Sequence, residues 1–298
     1  MKSSLLLLLT AALWGFAFVA QRQGMESLDA FSFNALRFAL GALFVRFALY
    51  RSIRKRTGII LLPGIVLFLA SSFQQIGIIF TTAGSAGFIT GLYVLFVPLI
   101  GIWRGQRLQK RIILAIVVAV IGLYAINQFG DLQITMGNLL VLISALFFAW
   151  HVQIVDKYSK LYSTGLLAFD QFAVCALLSG IAAFLWRSIS YPGIGLSKDF
   201  LHGISTATGP ILYGGLISVG IAYTLQIKAQ QKAEPAQAAV IMCLEGAFAL
   251  LGGYLILSEE LSLRKLVGGA MLLMATILVS VPKKVVDRKS AIDMNAQT

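Results

Sequence analysis

The chain is poor in most of what a soluble enzyme displays. Only 12% of its 298 residues are charged, with 12 acidic side chains against 24 Lys and Arg, and there are just two histidines, two cysteines and six prolines. A soluble domain of this length needs far more polar surface. With 58% apolar residues and a mean hydropathy of +0.86, the solvent has to be a bilayer. Cys175 and Cys243 sit in separate apolar runs without His or Cys neighbours at ligand spacing, so they read as buried bystanders and not as a disulfide or metal pair. There is no Ser-His-Asp ordering, no His-x-x-x-His and no phosphate-cradling loop at a helix start. No enzyme chemistry and no bound cofactor are therefore expected. The net charge of +12 would suit nucleic acid only if it formed a face on a soluble domain. Here the charges lie between apolar runs, and nucleic acid is set aside as a partner.

What is present is a series of apolar runs. A span needs about 20 such residues to cross roughly 30 Å of hydrocarbon. Ten stretches qualify: Ser4 to Gln21, Phe31 to Tyr50, Ile59 to Phe80, Ser85 to Trp103, Arg111 to Gln128, Asn138 to Val155, Gly165 to Trp186, Pro210 to Ile227, Ala236 to Leu257 and Leu263 to Val281. The first resembles a signal peptide, but Phe18 occupies a position where cleavage after Ala20 would need a small residue, so it is expected to be retained. Most connectors are short, which makes consecutive helices antiparallel neighbours. The longest, Arg187 to Gly209, reads as an irregular loop, and the tail from Lys283 to Thr298 as a polar, disordered end. Alternating connectors collect the basic residues, among them Arg54, Lys55, Arg107, Lys160, Lys232 and Lys283. The opposite connectors hold only Arg22, Arg187, Lys198, Arg264 and Lys265. That bias predicts a multi-pass protein of the cell (inner) membrane with both termini cytoplasmic.

The chain also repeats itself. A shift of 153 positions lays Thr81 to Gln128 on Glu234 to Val281 without a gap, placing Ser85-Ala86 on Ala238-Ala239 and Arg111 on Arg264. Near the start, a shift of 133 pairs Ala12-Leu13 with Ala145-Leu146, and a shift of 134 pairs Phe38-Ala39 with Phe172-Ala173. Two five-helix units follow, 1-130 and 135-282, with 283-298 as a cytoplasmic tail. Because five is odd, the second unit enters the membrane inverted. Charge agrees: Gln106-Arg107 lies at a basic connector, and its counterpart Glu259-Glu260 at an opposite one.

Several segments carry a resemblance: Ala12-Leu13-Trp14-Gly15, Leu36-Arg37-Phe38, Thr81 to Ala86 leading to Gly91-Leu92-Tyr93 and Pro98, and Ala238-Ala239 through Leu244-Glu245 to Ser258-Glu259-Glu260-Leu261. In these, over nearly its whole length, the chain resembles the EamA-type permeases of the drug/metabolite transporter superfamily. The resemblance implies an all-α polytopic membrane protein of ten transmembrane helices in two inverted five-helix repeats. It also implies a carrier that moves amino acids or related metabolites, often outward, through a central cavity. Two positions depart from the family pattern: Gly246 stands where proline usually follows the ninth-helix glutamate, and Gln106 where glutamate is usual.

Polar groups at membrane depth are costly and normally face a cavity or a partner. Glu245 leads this set, with Glu234 and Glu259 its nearest acidic neighbours in sequence. It suits a substrate amine or a coupling proton, or else a helix-locking contact with Arg37. Arg37 suits either that lock or a substrate carboxylate. Asp170 and Gln171 are its counterparts near the start of the seventh span, where Asp170 is expected to be solvated at the interface. Trp14, Phe18 and Gln21 share one helix face, as do Phe147, Trp150, His151 and Ile154. Such faces suit a cavity wall or, equally, lipid contact. His151 also has the ordinary titration range that proton coupling would use. Gln74, Gln75, Gln226, Tyr93 and Tyr223 add neutral donors and acceptors.

The sequence thus predicts a permease exporting amino acids or related compounds by alternating access. Its substrate site is expected to comprise Trp14, Phe18, Gln21, Gln75, Tyr93, Trp150, His151, Tyr223 and Glu245, with Arg37 in a coupling or locking role. Proton-coupled efflux of organic cations is the rival within transport. A channel, a non-transporting scaffold and an intramembrane enzyme are the other classes. The expected partners are a small-molecule substrate and the bilayer, and nothing in the sequence requires a second copy of the chain.

Overall fold

The computed structural model describes residues 2–49, 59–126, 135–190, 198–258 and 260–280, and among them there is no strand. Among the described residues nine helices are long and apolar enough to cross a membrane: α1 (Lys2–Gly24), α2 (Ala30–Ala48), α3 (Leu61–Ile79), α4 (Ala83–Trp103), α6 (Met136–Ser159), α7 (Thr164–Ser190), α8 (Thr208–Gln230), α9 (Pro235–Leu257) and α10 (Leu263–Ser280). Between them α5 (Lys110–Ile126) has 17 described residues, about 25 Å at the helical rise. These are the ten expected spans. The basic connector around Arg54 and the tail from Lys283 lie outside the described residues, so the charge bias there rests on sequence.

Local chemistry fixes where spans begin. Asp29 accepts the Ser32 amide at 2.8 Å, Thr82 that of Ser85 at 3.1 Å and Thr135 that of Asn138 at 3.2 Å, each satisfying a helix N-terminus. Pro235 occupies the first turn of α9, where a missing amide hydrogen costs nothing.

Packing follows the inverted repeat. Helix α2 packs on its counterpart α7, and α5 on α10. The pairing of α3 with α6 is matched by α8 with α1, and that of α4 with α6 by α9 with α1. Both fourth-position spans are broken at their centres. Helix α4 runs as Ala83–Gly91 and Tyr93–Trp103, and α9 as Pro235–Met242 and Glu245–Leu257. At each break the backbone tightens to shorter hydrogen bonds, Leu95 to Leu92 in one half and Gly246 to Cys243 in the other. Both spans also end in a left-handed residue, Gly105 (φ 80°) and Ser258 (φ 56°), which are 153 positions apart, the offset of the sequence repeat.

The connector expected to be irregular is partly helical. Helix α7 continues to Ser190, and a short helix, Lys198–Thr206, precedes α8. Phe200 and Ile204 on that helix pack against a small cluster of Leu28, Phe33 and Ala207. Gly203 lets it lie against the Ser27 carbonyl, where a β-carbon would stand 2.5 Å from the oxygen. Apolar spacing within a short polar stretch is too slight to separate such a helix from a loop, and burial against α1 and α2 decides it.

Candidate functional site

The two broken spans meet α1 at the middle of the fold. Gly15, next to Trp14, permits this approach: a β-carbon there would stand 2.8 Å from the Glu245 carbonyl oxygen and 2.8 Å from the Ala249 amide nitrogen. Alongside lies α8, whose central stretch Tyr213–Tyr223 is a π-helix. Helix α1 is tied to it by three hydrogen bonds: Thr10 Oγ1 donates to Ala222 O (3.3 Å), Trp14 Nε1 to Ser218 O (3.2 Å), and Tyr213 Oη to Leu13 O (3.0 Å). Long π segments are rare and recur at functional sites.

Enclosed by these elements is a cavity of about 40 Å³. Trp14, Ala17, Phe18 and Gln21 wall it from α1, Ser218 and Tyr223 from α8, and Phe148 from α6. Arg37, Gln74, Thr90, Tyr93 and Glu245 supply most of the polar lining. Ionisable groups come from both halves: Arg37 from α2 and Glu245 from α9, each 3% exposed. No ion pair joins them among the described residues.

Arg37 is held in place. Its Nε donates to Asn34 Oδ1 at 2.9 Å, Asn34 in turn donates to Ser71 O at 3.1 Å, and the guanidinium lies over the rings of Phe38 (5.0 Å) and Phe33 (5.6 Å). Cation–π contact keeps the charge in a mostly apolar setting without neutralising it. Glu245 opens the second piece of α9, where the positive end of a helix favours a carboxylate. Tyr93 likewise opens the second piece of α4 and faces Glu245. Neither Glu245 Oε1 nor Tyr93 Oη has a hydrogen-bond partner, although both are buried, and the same is true of Gln21 Oε1. Unmet acceptors and donors around one cavity are what a polar solute would satisfy.

Of the residues read from sequence as a site, Trp14, Phe18, Gln21, Tyr93, Tyr223 and Glu245 surround this cavity, and Arg37 joins them. The other three stand behind or apart from it. Gln75 is turned toward α1, its Nε2 donating to Gln21 O at 3.4 Å, whereas its neighbour Gln74 faces the cavity and donates to Thr90 Oγ1 at 3.0 Å. His151 is 1% exposed, bonded to Gln171 Oε1 at 3.0 Å, with its ring edge-on to Tyr223 at 5.9 Å. Trp150 pairs edge-on with the largely exposed Trp103 at 5.9 Å. On α6 the cavity-facing aromatic is therefore Phe148, one position from the expected face. Phe147 stacks on Phe73 of α3 at 5.7 Å, because α6 packs broadly against that helix. Asp170 departs from its expected interfacial place: it is 1% exposed, and its Oδ2 accepts the Ile60 amide at 2.9 Å at the start of α3.

Thr90 and Ser218 escaped the sequence reading. Thr90 carried a faint signal, a hydroxyl beside Gly91 in an apolar span. Ser218 carried none, since its carbonyl is its polar tie to α1.

A polytopic helical protein with two inverted halves, paired broken spans and a buried polar cavity where they cross has the build of a membrane transporter. The chain belongs to the EamA-like transporter family, which matches it over residues 1–128 and 135–281. It is 31% identical over 277 residues to an uncharacterized transporter of Archaeoglobus fulgidus, covering 92% of this chain and 84% of that one. A second uncharacterized transporter of the same organism is 25% identical over 290 residues, covering 94% and 99%. A solved chain described as "Crystal structure of protein" shares the fold with a TM-score of 0.73 at 16% identity, covering 93% of this chain and 96% of that one.

Proposed function

We propose that this transporter is a secondary carrier of small zwitterionic metabolites, amino acids foremost, which it exports by alternating access. The observation that carries this reading is the unpaired juxtaposition of Arg37 and Glu245 in one cavity. Arg37 offers a carboxylate its guanidinium, while Glu245 with Tyr93 offers an ammonium group two oxygens, so a solute bearing both groups satisfies both halves at once. Trp14, Phe18, Phe148 and Tyr223 supply apolar walls for a side chain.

Alternating access is supported by size. Small-molecule sites commonly span about 300–1,000 Å³, whereas the cavity here is about 40 Å³. Loading therefore requires the walls to separate, and the boundary between the halves is where they are free to do so. Both termini are assigned to the cytoplasmic face of the cell membrane on the Lys and Arg bias.

The test is flux in proteoliposomes. Labelled amino acids and organic cations are offered to wild type and Glu245→Gln, with and without a pH gradient. Saturable amino-acid flux with counterflow, reduced at least tenfold in Glu245→Gln, supports the reading. Gradient-driven flux of cations alone, abolished in the same variant, replaces it with proton-coupled cation efflux. Absence of flux for every solute would reject a carrier of either kind.

A further inference from the structure

A second cavity lies near the basic connectors. It encloses about 340 Å³, within the range of small-molecule sites and far larger than the central one. Both halves line it: the α4–α5 connector brings Gln106 and Arg107, the end of α6 brings Asp156 and Lys160, and the turn from α8 to α9 brings Lys232 and Glu234.

The charges here are unequally engaged. Asp156 is neutralised by Lys160 at 2.7 Å. Glu234 accepts a hydrogen bond from Gln109 Nε2 at 3.2 Å, which ties the two halves together. Arg107 and Lys232 have no hydrogen-bond or ion-pair partner among the described residues. Two free cations flank one carboxylate that already has a neutral partner, an arrangement suited to an organic carboxylate whose ammonium group can rest on Glu234.

The repeat makes the asymmetry plain. Under the shift of 153, Gln231 to Ala236 correspond to Ile78 to Ala83, and Gln106-Arg107 to Glu259-Glu260. At that opposite end Arg22 donates its Nη1 to Ile78 O (2.9 Å) and Ile79 O (3.0 Å). In sequence the repeat carries Glu260 there where Arg107 stands on this side.

Val94, Val97, Val152, Ile241 and Met242 belong to the buried apolar core, with almost no exposure. Gln153 ties α6 to α4, donating to Val97 O at 2.8 Å and accepting from Gln106 Nε2 at 3.0 Å. The lining of this cavity shares no residue with that of the central one.

We infer that the vestibule formed by Arg107, Lys232 and Glu234 is a second solute site, which captures neutral α-amino acids by their carboxylate. The choice of solute rests on the zwitterion reading above, while the site rests on its own residues. Anionic lipid headgroups share the carboxylate's charge and are the competing source of a ligand.

Equilibrium binding of radiolabelled leucine to the full chain in phosphatidylcholine nanodiscs tests this. Wild type is expected to bind two equivalents. The Arg107→Ala/Lys232→Ala double variant is expected to keep one, and Glu245→Gln to keep the other. The vestibule equivalent is expected to weaken more with added salt, because exposed charges are screened within about 8 Å at physiological ionic strength. Both substituted side chains are exposed, and an unchanged melting temperature confirms that the double variant folds. A single equivalent in wild type, lost in Glu245→Gln and untouched in the double variant, would overturn the vestibule site while leaving the carrier reading intact. Retention of phosphatidylglycerol by native mass spectrometry that falls in the double variant, with leucine binding unchanged, would assign the cations to lipid and overturn it as well. No bound leucine in any form would sink both readings.

Discussion

Tyr93 and Glu245 face each other across the two halves, each as the first residue of the second piece of a broken span and one position out of step under the 153-position repeat. The two residues interact electrostatically, yet Tyr93 Oη and Glu245 Oε1 are both buried without a hydrogen-bond partner. Tyr93→Phe keeps the ring and removes only a hydroxyl that lines the cavity, so the variant should melt close to wild type. Its function should fall, because the solute loses a hydrogen-bonding group. We expect the half-saturating concentration for amino-acid flux to rise about tenfold, the order of one lost charge-assisted hydrogen bond of roughly 1.5 kcal/mol. A drop in melting temperature of several degrees would mean that the hydroxyl serves the fold instead.

The phase of α6 yields a second expectation. Phe148 walls the cavity, whereas Trp150 sits against Trp103 on the outside of the bundle. Replacing each with leucine separates the two surfaces. Phe148→Leu should change which amino acids are carried, with a shift of several-fold in the ratio of large to small substrates, as one aromatic wall is lost. Trp150→Leu should leave that ratio unchanged and act, if at all, on expression or melting. The flux panel of wild type and both variants, read as ratios between substrates, checks this. A selectivity change confined to Trp150→Leu would reverse the assignment of faces.

These two helices also mark how far the sequence could be read. Span number, inversion and the α1 face were legible, because apolar runs, charge alternation and the 153-position offset are properties of sequence alone. On α1, Trp14, Phe18 and Gln21 share one face at helical spacing, with two polar-tipped residues bracketing an aromatic, and all three line the central cavity. On α6 every position from Leu139 to Trp150 except Ser144 is apolar or aromatic, so periodicity cannot distinguish the side that meets α3 from the side that meets the cavity. Partner choice decides, as when Gln171 claims His151 and Trp103 claims Trp150. The helix breaks were hidden as well. Gly91 hints at one, but Cys243-Leu244 carries no breaker.

The last expectation concerns the paired left-handed residues. Gly105 and Ser258 end the fourth and ninth spans in the same unusual conformation, but only one of them is glycine. An L-residue in this region costs roughly 1–2 kcal/mol, which glycine avoids. Ser258→Gly should therefore stabilise the protein by about 1 kcal/mol, offset in part by the greater freedom of glycine in the unfolded chain. Gly105→Ala should destabilise it by a similar amount for conformational reasons alone, since a β-carbon at Gly105 would meet no atom within 4 Å. Neither position lines either cavity, so flux per folded molecule should not change. Melting curves in detergent for the two variants should move in opposite directions around wild type. Both moving down would mean that Ser258 contributes an interaction glycine cannot replace, and that the two ends of the repeat are alike in backbone shape but not in what holds them.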